Sequence, residues 1–405
     1  MKETRKYKQT ELGLLPEDWE VARLGDIGEL AMCKRIFQNE TSEMGDVPFY
    51  KIGTFGKTAD AYISYAKYNE FKSAYRFPNK GDILISAAGT IGRIVVYDGK
   101  PAYFQDSNIV WLAHSGKTIR NDFLFYVYQI TDWNTENTTI ARLYNDNFNK
   151  TIIPLPPIEE QRRIASALTS IDNLIDSLDR LIAKKRDIKQ GAMQQLLSGK
   201  KRLKGFTEPW KSFKIDDLFD IGNGYTPSKA NPAYWTNGTI PWFRMEDIRA
   251  NGRILKDSIQ HITEEAVKSS GLFPANSIIL STTATIGEHA LLIADSLANQ
   301  QFSFLVRKLN RCSDIDIMFF FYHCFILGEW CRANINDGGL MAVNMTDLKN
   351  YTFFVPSLPE QQAIASVLTS MNNELSALEA KRKKYEQIKQ GMMRQLLTGK
   401  IRLIS

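Results

Sequence analysis

Two fragments in the second half of this 405-residue chain carry residue types suited to methyl transfer. Phe219-Asp220-Ile221-Gly222-Asn223-Gly224 imitates a glycine-rich cofactor loop, and Asn231-Pro232-Ala233-Tyr234 imitates the Asn-Pro-Pro-Tyr element that holds a flipped adenine. Such a cofactor loop must sit in a strand-turn-helix unit of about 30 residues, with an acidic ribose contact roughly 20 residues further on. The six residues between Gly224 and Asn231 leave no room for it, so a turn-rich structural or nucleic-acid-facing loop is the better reading. Cys312, His323, Cys324 and Cys331 could be drawn as metal ligands, but they lack the close Cys-x-x-Cys pairs of a structural zinc site and fit a buried apolar helix. Gly191 and Gly199-Lys200 miss the spacing of a nucleotide-binding loop, and no Ser or Thr follows the lysine. His114, His261, His289 and His323 are scattered and define no Ser/His/Asp set.

What remains is a basic, polar and aromatic surface chemistry. Lys34, Arg35, Gln38, Lys51, Tyr62, Tyr65, Lys67, Tyr68, Lys72 and Arg76 cluster early in the chain, with Arg93 and Arg142 further on. A second set comprises Tyr225, Lys229, Asn237, Arg244, Arg249 and Arg253. Lys and Arg neutralise phosphates, while Arg to guanine and Asn or Gln to adenine make the bidentate contacts that read the major groove. These residues are the candidate DNA contacts, each weighed against an ordinary solvated face. The net charge of +6, from 51 basic and 45 acidic residues, points the same way but is too small to establish a polyanion partner.

The elements that must position these residues follow from length and patterning. A chain of this length predicts two to four domains, and 43% hydrophobic with 24% charged residues places it among ordinary globular proteins. The four cysteines read as reduced thiols rather than a disulfide framework. Met1 to Leu12 is polar, and the longest apolar run, Ile317 to Leu327, is about half of a membrane span, so a cytoplasmic location is expected.

An internal repeat dominates. Leu155 to Leu203 aligns with Val355 to Leu403 without a gap at an offset of 200, with roughly half the positions identical. The blocks before these segments match loosely, through Trp19 against Trp210 and through Thr90-Ile91-Gly92 against Thr285-Ile286-Gly287. Ile164, Leu168, Ile171, Ile175, Leu178 and Ile182 step by four and three residues, and Ile364, Leu368, Met371, Leu375 and Leu378 keep the same phase. That is the seam of a coiled coil, expected to join two long helices antiparallel, with a slip after Ile182 where Ile188, Ala192 and Leu196 restart the pattern. Glu159 and Glu160 suit the helix start, and Gly199 and Gly399 sit where a left-handed C-terminal cap belongs. Short β-branched runs such as Asp82 to Ser86 and Ile94 to Tyr97 predict strands, and Phe123 to Trp133 predicts a helix. The class is α+β: a first mixed domain over 1–155, a helical segment over 156–204, a second mixed domain over 205–355, and a helical segment over 356–405.

This pattern resembles the specificity subunit of a type I restriction-modification system. The resemblance covers essentially the whole chain. It is carried by Pro156-Pro157-Ile158-Glu159-Glu160-Gln161 through Ile164-Ala165, by the copy Val355-Pro356 through Glu360-Gln361 and Ile364-Ala365, and by the two Thr-Ile-Gly pieces. It implies a non-catalytic subunit in which each mixed domain, a target-recognition domain, reads one half of a split sequence in double-stranded DNA. The helices would set the spacing and bind two methyltransferase subunits, and a motor and nuclease subunit would complete the complex. S-adenosylmethionine, ATP and magnesium are then expected on those partners, with no cofactor or metal in this chain. Ser357 and Pro359 replace Pro157 and Glu159 in the second copy, and Arg382 to Lys384 is basic where the first copy has Ile182, so the two partner-binding surfaces need not be equivalent. Two other readings are a fused methyltransferase or nuclease, which lacks its catalytic blocks, and a coiled-coil scaffold, which gives no reason for two divergent domains.

Overall fold

The computed structural model describes residues 6–133, 142–336 and 341–404; Met1 to Arg5 of the polar N-terminal stretch lie outside them. The chain divides into two compact units, Met1–Arg180 with Ala380–Ser405, and Leu181–Glu379. Both long helices, Ile158–Leu196 and Leu358–Leu396, are unbroken over 39 residues, and each contributes one half to each unit.

In the first unit a four-stranded antiparallel sheet runs in the order Glu29–Met32, Ile109–Ala113, Ile83–Ser86, Ile94–Val96. Helix Asn121–Ile130 buries Phe123, Leu124, Tyr126, Val127 and Tyr128, in a core that also holds Ile83, Ile85, Val110 and Leu112. The other sheet face takes part in a second core with a small sheet centred on Val47–Tyr50 and with helix Tyr65–Ala74. Strand Ile152–Leu155 leads into the first long helix and pairs with Glu20–Arg23.

The second unit repeats this plan with other residues. Its sheet has five strands, in the order Phe219–Asn223, Phe302–Arg307, Ser277–Ser281, His289–Leu292, Ile254–Leu255. Helix Ile317–Ala333, which begins on the apolar run, buries Phe319, Phe320 and Phe321 against it. Thr352–Val355 leads into the second long helix and pairs with Lys211–Lys214.

Within each unit the two helix halves run antiparallel. In the first, Asp172 pairs with Lys389 and Asp179 with Arg382. In the second, Lys185 pairs with Glu374 at 2.6 Å, Arg186 with Glu379 at 2.5 Å, and Lys189 donates to Asn372 at 2.5 Å. Of the seam positions, Ile164, Leu168, Ile171, Ile175, Leu178, Ile182, Ile364, Leu368 and Leu375 are buried, while Met371 and Leu378 are half-buried. Ile188 is 47% exposed, so the apolar pattern beyond Ile182 does not continue the seam at that position.

The helix starts hold more than dipole-matched charge. Glu160 is 2% exposed and accepts from Trp19 Nε1 at 2.9 Å and from Arg402 Nε and Nη2 at 2.8 Å. In the second unit the fully buried Glu360 accepts from Arg202 Nε at 2.5 Å and Nη2 at 2.6 Å. Each glutamate therefore receives the arginine that follows the other long helix, which Gly399 (φ +67°) and Gly199 (φ +68°) turn back from the helix end. The adjacent glutamines are buried too. Gln161 accepts from the Arg120 backbone N–H and donates to the carbonyls of Thr118 and Pro156, tying down the start of helix Asn121–Ile130, which has no side-chain cap of its own. Gln361 does the same with Asp316, Asp314 and Pro356.

Replacing Glu160 by Ala leaves the Trp19 indole without its acceptor in a buried site and Arg402 with Asp18 as its one remaining carboxylate among the described residues. The expected loss is about 3 kcal/mol of stability, read from denaturant unfolding of the full chain. Ile175→Asp places a carboxylate at a position only 8% exposed in the seam, with a comparable expected loss of roughly 3 kcal/mol. Unaltered melting of Ile175→Asp would remove Ile175 from the helix-helix core.

Candidate nucleic-acid interface

In the first unit Lys34, Arg35 and Gln38 lie on the segment following strand Glu29–Met32. Buried Cys33 and Ile36 anchor it from below, so Lys34, Arg35, Phe37 and Gln38 face solvent. Burial also pushes the Cys33 thiol up to about 12, leaving it protonated and unreactive. Glu40 closes the turn by accepting from the Phe37 backbone N–H at 2.9 Å and pairs with Lys67 at 2.8 Å. Lys34 Nζ stands 5.1 Å from the Tyr75 ring centre. Turn and helix Tyr65–Ala74 thus form one surface carrying Lys34, Gln38, Tyr65, Lys67 and Lys72.

Several other candidates are already engaged. Arg35 pairs with Asp106 and Lys51 with Asp60, at 2.8 and 2.9 Å, and Arg76 pairs with Glu29. Tyr68 is buried and accepts from Lys72 Nζ at 3.0 Å, so it supports the surface rather than lining it. Tyr62 is half-buried on a sheet edge. Arg93 follows the Thr90-Ile91-Gly92 turn and donates to the Phe55 carbonyl at 3.0 Å, and Arg142 bridges to Ala88 beside that turn.

The second unit distributes its candidates over two places. Tyr225 holds the segment around Lys268 through its hydroxyl, with Lys268 Nζ 4.3 Å from its ring centre. Trp242 donates to the Tyr225 carbonyl at 3.0 Å, and Arg244 lies over Trp242 at 5.7 Å. Lys229 and Asn237 are exposed in the intervening loop. Arg249 and Arg253 sit apart from these, beside the Thr285-Ile286-Gly287 turn. The two cofactor-like fragments are accounted for by packing. Phe219–Asn223 is a strand, and a Cβ on Gly224 would stand 2.3 Å from the Asn299 carbonyl oxygen. Asn231 caps a short 3-10 turn, Pro232–Tyr234, by accepting from the Ala233 N–H. His323, Cys324 and Cys331 are buried on helix Ile317–Ala333 and Cys312 is exposed outside it; among the described residues no group of three His, Cys, Asp or Glu could hold a metal ion.

Sequence reasoning missed the roles of Glu160, Glu360, Gln161, Gln361, Arg202 and Arg402. Their exact repetition at an offset of 200 was the available signal. It also missed Arg332, which lies on the helix read only as an apolar run.

Two stretches, residues 16–184 and 207–390, match the family model described as the type I restriction modification DNA specificity domain. The chain belongs to this family. Over 173 residues it is 50% identical to a protein of Haemophilus influenzae assigned as a type I restriction enzyme specificity subunit, covering 42% of this chain and 45% of that protein. It is 44% identical over 191 residues to the EcoprrI specificity subunit of Escherichia coli, covering 46% of this chain and 47% of that one. The chain thus spans about half the length of these two curated relatives where it matches them. The crystal structure of a type I system S subunit from M. genitalium shares the fold, with a TM-score of 0.58 at 14% identity over 97% of this chain and 98% of that chain. Among the described residues no helix is long and apolar enough to cross a membrane.

Two buried histidines of the second unit give a pH signature. Burial first, then Arg253, lowers His289 to about 3, and burial lowers His323 to about 4. A depressed histidine pKa means that the unfolded chain binds more protons between that value and about 6.5, so stability falls as pH drops through this window. At pH 4.5 each histidine should cost about 2 kcal/mol relative to pH 7, and a His289→Gln, His323→Gln variant should show a correspondingly flatter stability profile in denaturant melts.

Proposed function

We propose that this chain is the DNA-recognition subunit of a type I restriction-modification complex, non-catalytic in itself, with each strand-rich domain reading one half of a split target. The observation that carries the reading is the doubled design. Two divergent domains are each locked to the same Glu-Gln helix start and the same returning arginine, and the family model matches both halves. Divergence where DNA would be read, beside repetition where the chain is held together, is what two different half-sites on one scaffold require. The candidate contacts are Lys34, Gln38, Tyr65 and Lys72 in the first domain and Lys229, Asn237, Arg244 and Arg249 in the second, with Lys67 and Arg253 beside them but ion-paired to Glu40 and Glu288. The helices would dock two methyltransferase subunits, with motor and nuclease subunits completing the assembly, and S-adenosylmethionine, ATP and magnesium would reside on those partners. The segment boundaries at 155, 204 and 355 serve this reading as points of exchange.

Exchanging residues 205–355 for the matching block of a relative should change one half of the methylated motif and leave the other. A change in both halves would refute independent reading. The helices are also proposed to set the unread spacer. Each contributes to both units, so four residues inserted after Asp179 and four after Glu379 would preserve the contacts inside each unit. This adds about 6 Å and roughly 40° beyond one full turn. The expected result is a motif with one or two more spacer base pairs and both half-sites retained; an unchanged spacer with retained methylation would show that the helices do not set it.

A further inference from the structure

We infer that a cleft in the second unit, lined by Arg249, Arg253 and Arg332, binds a phosphate group of the DNA backbone, with Arg332 as a positioning contact rather than a reader of bases. The inference rests on the DNA-recognition reading above and assigns this surface its ligand chemistry. The cleft has a volume of about 680 Å³. Three guanidinium groups line it against one carboxylate, Glu288, so the wall carries an excess of two positive charges. Glu288 is already committed to Arg253 Nη2 at 2.5 Å, and Arg253 Nη1 donates to the His289 carbonyl at 2.9 Å. Arg332 is exposed and, among the described residues, makes one hydrogen bond, from Nη1 to the Ile286 carbonyl at 3.3 Å. A guanidinium has five N–H donors, so most of its fork is left for an incoming anion. Arg249 is exposed with no acidic partner among the described residues.

The backbone holds this arrangement in place. Gly287, at φ +86°, lets the turn meet the helix so closely that a Cβ there would stand 2.4 Å from the Gly328 carbonyl oxygen and 2.6 Å from Arg332 Nη1. At the corresponding turn of the first unit, Gly92 meets the Trp133 ring, 2.7 Å from where its Cβ would be, and Trp133 stacks on Phe148. An apolar plug thus occupies in one domain the place that carries an arginine in the other. The remaining walls are mostly apolar, with Met245, Ile248, Ile286, Ile335 and Met341, and the one hydroxyl among them, on Thr285, lies 3.3 Å from Ser281 Oγ.

The test measures binding of the full chain, assembled with its methyltransferase partner, to a duplex bearing its methylation motif and to a scrambled duplex, from about 50 to 200 mM salt. Arg332→Gln should weaken both duplexes by the same factor and reduce the slope of log affinity against log salt by about 1. Arg249→Gln, which breaks no ion pair among the described residues, should do likewise and guards against misfolding of the first variant. An unchanged slope in both variants, or a selective loss on the motif duplex, would overturn the inference while leaving DNA recognition standing. A wild-type complex that binds no duplex would overturn both. Inorganic phosphate, at constant ionic strength without DNA, should not raise the melting temperature of the wild type above that of Arg332→Gln; such a rise with an unchanged DNA slope would mark a free-anion site and overturn the inference.

Discussion

A buried glutamate at the start of each long helix organises the rest of the molecule. A carboxylate removed from water is tolerated only with close, directed donors, and in each unit these come from an arginine just beyond the end of the other helix. The pairing thereby dictates that the helices run antiparallel and that the chain after each helix turns back, which the left-handed glycines 199 and 399 permit. The neighbouring glutamine extends the constraint into the strand-rich domain by supplying the acceptor for the backbone N–H of the residue just before its main helix. Two adjacent residues thus fix helix to helix and domain to helix.

The two locks differ in detail. Trp19 donates its indole N–H to Glu160, whereas the Trp210 N–H is buried without a partner among the described residues, where Asp18 adds a second carboxylate to Arg402 but has no counterpart on Arg202. Along the seam, Lys389 meets Asp172, which also accepts from Tyr126, whereas the equivalent Lys189 donates to the amide oxygen of Asn372. Half-buried and close to Arg253, Lys189 is held below the usual lysine range. The first unit is the better satisfied electrostatically, although both share one architecture.

Much of this was legible because repetition exposes what a fold requires. The helix starts, the seam from Ile164 to Ile182 and the glycine caps recur at a fixed offset, and a strict apolar period survives divergence because every position faces a packed neighbour. Strands such as Ile83–Ser86 and helix Asn121–Ile130 were readable from local pattern to within a few residues. The candidate interface was less legible. Whether Arg35 or Lys51 is free depends on Asp106 and Asp60, whose proximity is set by the tertiary fold rather than by neighbouring sequence. Tyr68 shows the converse limit, since its place on the buried face of helix Tyr65–Ala74 cannot be told from composition. Arg332 was hidden because an apolar helix draws attention to its core face.

On the proposed function, one chain gives a modification complex two separate readers. Mapping of methylated positions across the genome of a host that expresses this chain with its methyltransferase partner tests it most directly. The expected result is one motif made of two short specified sequences, separated by a gap of fixed length in which every base is tolerated. A continuous motif without such a gap, or methylation unaffected by removal of this chain, would contradict it.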